Sequence, residues 1–200
     1  MKAQSILFSI PIALFFVGCG TKSSTYVDSQ GPEAMVLGNQ ITITDFYIAA
    51  DEMVNSMITS DVIDRAPRQP AVLGISRVVN DTREQFDTDQ LVKKIRVALN
   101  QTGKVVTTTT VGLGGRVEDP LADSIRDKEV FLKGRDAVTD NTPDFTLSGK
   151  IIQPPLLSEG RKRQNSYIFQ LTLSDTKAGL AVWEDEKTIT KQYKRSAVNW

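Results

Sequence analysis

The hydrophobic pattern of this 200-residue chain changes period near residue 144, and that change limits the folds it can adopt. Before this point, apolar residues recur at helical spacing in three stretches, about residues 44–60, 87–103 and 120–135. Two short stretches between them are rich in β-branched residues, 71–79 and 104–110. After it come three stretches typical of strands in a meander, 144–152, 167–173 and 180–189. The pattern therefore predicts the order α-β-α-β-α-β-β-β.

Capping residues mark the ends of the predicted helices. Asp87, with Gln90 three residues later, predicts a capping box at the start of the second helix. Gly103 predicts the end of that helix, because glycine tolerates the left-handed conformation that stops a helix. Asp119 followed by Pro120 predicts the start of the third helix.

This order of elements predicts an α/β fold of the α+β-like kind. We expect a small mixed, largely antiparallel sheet of about four to five strands, flanked by about three helices. The antiparallel part lies at the C-terminal end. Residues 175–179 predict the turn that joins the last two strands, with Gly179 at the position that most needs a positive φ.

The N-terminus carries an apolar run of about a dozen residues, 6–17, after Lys2. This run is shorter than the roughly 20 residues that a membrane-spanning helix needs, and it is typical of a signal peptide. It ends in Gly18-Cys19, which resembles a bacterial lipobox, in which a small residue precedes a cysteine whose thiol receives a diacylglyceryl group. We therefore predict cleavage between Gly18 and Cys19 and lipidation of Cys19.

The predicted cleavage site divides the chain into three parts. Residues 1–18 are a signal peptide of the lipoprotein type, residues 19–40 are the lipidated N-terminus and a short flexible tether, and residues 41–200 are a single globular domain. The tether is polar and shows no hydrophobic periodicity, and it spans at most roughly 70 Å when extended. Gly20 stands where Asp retains lipoproteins in the inner membrane, so resemblance to that sorting rule favours the periplasmic face of the outer membrane.

The composition excludes several kinds of chemistry. The chain has no histidine and one cysteine, which removes Ser-His-Asp and Cys-His catalysis, histidine metal sites and internal disulfides. Basic and acidic side chains number 24 each, so the net charge gives no reason to expect a nucleic acid as partner. We therefore predict a binding or structural protein that is not an enzyme and has no cofactor or metal.

Two further motifs have weak chemical interpretations. Gly112 and Gly114 follow a strand, but the third glycine of a dinucleotide fingerprint falls at Val117, so a flexible strand–helix connection is favoured. Glu184 and Glu186 share one face of a strand, which favours a solvated face over the paired carboxylates of a glycosidase.

Three consecutive basic residues, Arg161, Lys162 and Arg163, precede the strand that contains Tyr167. We predict a long loop over residues 154–164, and binding residues concentrate in such loops. The four residues are therefore candidates for docking a partner. The alternative is a solvated loop, and nucleic-acid binding is disfavoured outside the cytoplasm.

Several of these segments together resemble the LpoB family of penicillin-binding protein activators. They are the lipobox, residues 41–54, the helix over residues 87–103, and the strand segments 144–150, 167–173 and 179–184. The resemblance covers about residues 25–190. None of its motifs is catalytic.

The resemblance implies an outer-membrane lipoprotein that reaches across the periplasm and docks on a regulatory domain of a bifunctional penicillin-binding protein. It implies stimulation of peptidoglycan glycosyl transfer and crosslinking in cell-wall synthesis. The alternative is a structural or assembly component of an outer-membrane lipoprotein complex or a surface appendage, which the short tether favours.

Replacing Cys19 with alanine tests the predicted anchor. We expect Cys19→Ala to leave the domain folded and to release it from the membrane, because acyl chains on that thiol are the attachment. Cell fractionation followed by immunoblotting measures the release, with Ser23→Ala in the tether as the matched control. A Cys19→Ala protein that stays in the membrane fraction would contradict the lipid anchor.

Overall fold

The computed structural model describes residues 41–109, 117–134 and 142–194. The elements in chain order are α1 (Ile43–Thr59), a 3-10 helix (Ile63–Arg65), β1 (Ala71–Asp81), α2 (Thr88–Gln101), β2 (Val105–Thr107), α3 (Pro120–Lys133), β3 (Phe145–Ile152), β4 (Leu157–Glu159), β5 (Lys162–Asp175) and β6 (Leu180–Lys194). The predicted order is confirmed, with one additional short strand, β4. The predicted signal peptide, lipobox, tether and glycines of the strand–helix connection lie outside the described residues.

The strands form one mixed sheet. β1 pairs in parallel with β2 on one side and with β3 on the other. β5 is antiparallel to β3, and β6 is antiparallel to β5. Because β6 occupies one edge of β5 along its length, β3 and β4 share the other edge. The α/β prediction is confirmed, and the sheet has six strands where about four to five were expected.

The helix ends follow the local sequence. Thr42 caps the start of α1, and its backbone N–H donates to the Asp45 carboxylate over 2.7 Å. Asp87 caps α2 by accepting from Asp89 N over 2.9 Å, but within the described part of the chain Gln90 makes no return bond, so the predicted capping box is absent. Gly103 follows α2 with φ +70°, as the predicted stop requires.

Two helices cover one face of the sheet. α1 and α2 contact each other and the strands, and their buried residues form one core with the inward side chains of β1, β3 and β5. The ring of Phe46 lies edge-on to Tyr167 and Phe169, with centroids 6.2 and 6.1 Å away. This packing fixes α1 across the middle of β5.

The third helix does not join this core. Asp119 caps α3 by accepting from the N–H groups of Leu121 and Ala122, as the Asp-Pro start predicts. None of the α3 residues is buried, and Leu121 and Phe131 are 70% and 88% exposed. Helical spacing identifies an apolar stripe, but it does not say whether the same chain covers that stripe. Among the described residues, no helix is both long and apolar enough to cross a membrane.

The packing around Gly149 in β3 leaves no room for a larger side chain. A Cβ on Gly149 would lie 2.8 Å from Leu171 Cδ2 and 3.0 Å from Gln170 O. We expect Gly149→Ala to lower the free energy of unfolding by about 1–3 kcal/mol, because the added methyl group overpacks the site. Urea unfolding measures the change, with the neighbouring Ser148→Ala as control. Equal stability of the two variants would show that this contact is not tight.

Candidate functional site

β5 and β6 form a long hairpin whose closed end is held by hydrogen bonds to a carboxylate. At the turn, the Asp175 carboxylate accepts from the backbone N–H groups of Lys177 and Ala178, both over 2.8 Å. Gly179 has φ +66°, which confirms the positive φ predicted for that position. The pairing then continues from Asp175 opposite Leu180 to the open end of the hairpin.

The predicted loop over residues 154–164 is instead a second, tight hairpin. Leu157 pairs with Gln164, and Glu159 pairs with Lys162, so only Gly160 and Arg161 form the turn. Gly160 has φ +55°, which a two-residue turn of this kind requires. The prediction of a long loop was therefore wrong. Gly160 was the one local signal for this turn, because glycine favours turns, and neither flanking stretch has a strand-like alternation.

The turn gathers four cations at the open end of the long hairpin. Lys162 lies directly opposite Lys194, and Arg163 lies opposite Tyr193. We call Arg161, Lys162, Arg163 and Lys194 the basic cluster. Like charges directly opposite each other in a sheet repel, so the cluster carries an unfavourable interaction in the free protein.

Glu159 lies opposite Lys162 on the β4 side of the turn, but within the described residues it forms no ion pair with the basic cluster. Arg163 Nη1 donates to the carbonyl oxygens of Gly160 and Lys162 over 2.9 and 3.0 Å, which braces the turn. Across the described residues, no acidic side chain lies within ion-pair distance of the four cations. Such an exposed group of cations can attract an acidic surface. The sequence interpretation missed Lys194, which joins the cluster only through the hairpin register.

Tyr167 lies apart from the basic cluster. Its side chain is fully buried, and its ring packs against Phe46. The hydroxyl accepts from Asn165 Nδ2 over 2.8 Å and from Gln153 Nε2 over 3.3 Å, and it donates to Glu84 Oε1 over 3.5 Å. The structure therefore places Tyr167 inside the domain, where it holds β5 to neighbouring segments and does not present its side chain to a partner.

The carboxylates of β6 lie on the open face of the sheet. Glu184 accepts from Thr172 Oγ1 and Glu186 accepts from Gln170 Nε2, each over 3.1 Å. Both glutamates are exposed, in agreement with the predicted solvated face. In the part of the chain that the structure describes, no three acidic or sulfur ligands lie together as a metal site.

A small cleft lies at the closed end of the hairpin. Val62, Phe145 and Val182 contribute its apolar walls, and Arg65 and Lys177 lie at its rim. Its volume is about 110 Å³, which corresponds to roughly four water molecules. A cleft of this size holds a side chain rather than a nucleotide cofactor.

The structure defines a small α/β domain with one helix-covered sheet face, one open face and an exposed basic cluster. Residues 45–189 match the sequence profile of the peptidoglycan-synthase activator LpoB. The match spans most of the chain, and the chain belongs to the LpoB family. None of the curated proteins searched matches it.

Three solved structures that match parts of this chain illustrate the comparison. The LpoB C-terminal domain from Escherichia coli is 16% identical with a TM-score of 0.46, and the match covers 72% of this chain and 98% of that domain. Lipoprotein GNA1162 from Neisseria meningitidis is 15% identical with a TM-score of 0.38, covering 64% and 88%. The PelC dodecamer from Paraburkholderia phytofirmans is 14% identical with a TM-score of 0.34, covering 63% and 79%.

The buried hydroxyl of Tyr167 gives the domain a specific dependence on alkaline pH. Burial, followed by the nearby Glu84 carboxylate, raises the pKa of Tyr167 to about 12. In the unfolded chain the hydroxyl ionises near pH 10, so the stabilisation is complete below pH 10 and decreases as the pH rises toward 12.

We expect wild-type stability to decrease between about pH 10 and 12 more steeply than that of Tyr167→Phe. The difference should be about 1 kcal/mol per pH unit, because only the wild type loses this proton on unfolding. Urea unfolding at several pH values between 10 and 12 measures how the free energy of unfolding of each protein depends on pH. The two proteins share all other titratable groups, so the difference between them reports Tyr167 alone. Parallel slopes would show that the hydroxyl ionises equally in both states.

Proposed function

We propose that this protein is an outer-membrane lipoprotein that binds and activates a bifunctional penicillin-binding protein from the periplasmic side. Its membership of the LpoB family, over residues 45–189, is the observation that carries the proposal. It acts by binding and carries out no reaction of its own.

The lipid on Cys19 holds the domain at the outer membrane in this proposal. Each buried methylene of the acyl chains contributes about 0.8 kcal/mol, so a multiply acylated cysteine is a durable anchor. The tether of residues 19–40 gives a reach of at most roughly 70 Å, so the domain meets a synthase that extends toward the outer membrane.

The basic cluster is the proposed docking surface. Its cations lie at the open end of a hairpin whose strands pair in unbroken register from Lys162 opposite Lys194 to Leu173 opposite Trp183, so the backbone that carries them does not need to be ordered on binding. An acidic surface on the synthase relieves the repulsion between Lys162 and Lys194. Opposite charges at the rim of an interface also raise the association rate.

Activation then follows from a preference for one state of the synthase. If the domain binds the active conformation more tightly, binding shifts the population toward that conformation. Each tenfold preference corresponds to about 1.4 kcal/mol. Stimulation should therefore saturate with the lipoprotein concentration.

Charge reversal at the turn tests the docking surface. We expect the double variant Arg161→Glu, Lys162→Glu to raise the concentration needed for half-maximal stimulation by about tenfold or more, since two attractive charges become repulsive. The measurement is the glycosyl-transfer rate of the purified synthase titrated with the lipoprotein in detergent. Lys177→Glu, an exposed lysine at the other end of the same hairpin, is the matched control.

Equal effects of the double variant and Lys177→Glu would contradict docking through the basic cluster. Crosslinking of the tagged, lipidated protein in intact cells, followed by mass spectrometry, tests the partner itself. A penicillin-binding protein among the crosslinked partners supports the proposal. Recovery of outer-membrane or appendage proteins alone would support the assembly role and overturn activation.

A further inference from the structure

Within residues 41–109, 117–134 and 142–194, no strand pairs with the outer edge of β6. β6 runs for 15 residues and pairs only with β5 among the described strands. A strand edge exposes a row of backbone donors and acceptors, and proteins usually blunt it with proline, unpaired lysines or a short strand. β6 has no proline.

The lysines on the helix-facing side of β6 do not protect this edge. Lys187 Nζ lies 3.1 Å from Glu52 Oε2, and Lys191 Nζ lies 2.7 Å from Asp45 Oδ2, so both are held by acidic side chains of α1. Their charges are therefore partly offset within the domain, which weakens the repulsion of an approaching strand, and each ammonium group can still accept a second carboxylate as neighbour.

The charges along β6 are divided between its two halves. The acidic residues lie in the first half, at positions 184–186, and the lysines follow at positions 187, 191 and 194. Two such strands in antiparallel orientation place the acidic half of each beside the basic half of the other. The strand is thus complementary to a second copy of itself.

We propose that β6 pairs with β6 of a second copy, antiparallel about a two-fold axis at Thr188, to form one continuous sheet. In this register Asp185 faces Lys191 of the second copy, and Trp183 faces Tyr193. Thr188 faces its own equivalent. The pairing extends over residues 182–194, or roughly 44 Å, and no like charges stand opposite each other.

Neighbouring registers are less favourable, because they place like charges opposite each other or shorten the pairing. An axis at Lys187 places that lysine opposite its own equivalent, and an axis at Ile189 places Lys187 opposite Lys191. An axis at Thr190 avoids like charges but shortens the pairing to residues 186–194. The register centred on Thr188 therefore combines the longest pairing with the best charge match.

One local contact adjusts when the strands pair. The Asp185 carboxylate accepts from the backbone N–H of Glu186 over 2.8 Å in the single copy. In the paired state this carboxylate turns to Lys191 of the second copy. The inference is independent of the proposed function, because it rests on the edge and charges of β6 alone.

Single-cysteine crosslinking in cells tests both the pairing and its register. Cys19 is the single native cysteine, so the unsubstituted protein gives the background. We expect Thr188→Cys, treated with a short bifunctional thiol reagent, to yield a covalent dimer on a denaturing gel in at least several-fold excess over that background. Ile189→Cys and Thr190→Cys test the two alternative registers, and Ser158→Cys on β4 reports random collision.

Each outcome decides the proposal. A dimer formed most strongly by Thr188→Cys supports it. Strongest crosslinking at residue 189 or 190 overturns the register, and equal crosslinking at residue 158 overturns the interface. Crosslinking of Thr188→Cys to a different protein, or to none, overturns the second copy as the occupant.

A mass measurement with two matched lysine variants gives an independent test. Thr188→Lys places two lysines across the axis, whereas Thr190→Lys places a lysine opposite Glu186 of the second copy. We expect light scattering of the detergent-solubilised lipoprotein to give a dimer mass for wild type and Thr190→Lys, and half that mass for Thr188→Lys. A monomer mass for the wild type, or equal masses for the two variants, would overturn the proposal.

Discussion

The packing of Phe46 against Tyr167 and Phe169 is the contact on which the rest of the domain depends. It fixes α1 across the middle of β5, and so brings Asp45 and Glu52 beside Lys191 and Lys187 of β6. The hairpin is thereby held on one face by a helix and along one edge by β3 and β4. Its open end carries the basic cluster at the surface of the domain.

Most of the fold could be predicted because its helices and strands have clear hydrophobic periods and end at capping residues such as Asp119 and Gly103. The short strand β4 could not, since three exposed residues have no period to detect. The exposure of α3 could not be predicted either, because an apolar stripe such as Leu121 and Ile125 has the same sequence pattern whether or not another segment covers it.

Only the residues of the candidate site that are adjacent in the sequence could be predicted. Arg161, Lys162 and Arg163 are consecutive, and a cluster of that kind is visible in any sequence. Lys194 joins them by pairing with Lys162, which lies 32 residues earlier in the sequence (194 − 162), and the burial of Tyr167 depends on contact with Phe46, which lies 121 residues earlier (167 − 46). Contacts between distant segments set both features, and no local pattern encodes them.

The contact between Phe46 and Phe169 also sets the order in which the domain can fold. The two rings are about 120 residues apart in the sequence, so the core cannot close until most of the chain is available. Folds dominated by such distant contacts form slowly. A chain that is synthesised from its N-terminus therefore cannot close this core until β5 has emerged from the ribosome.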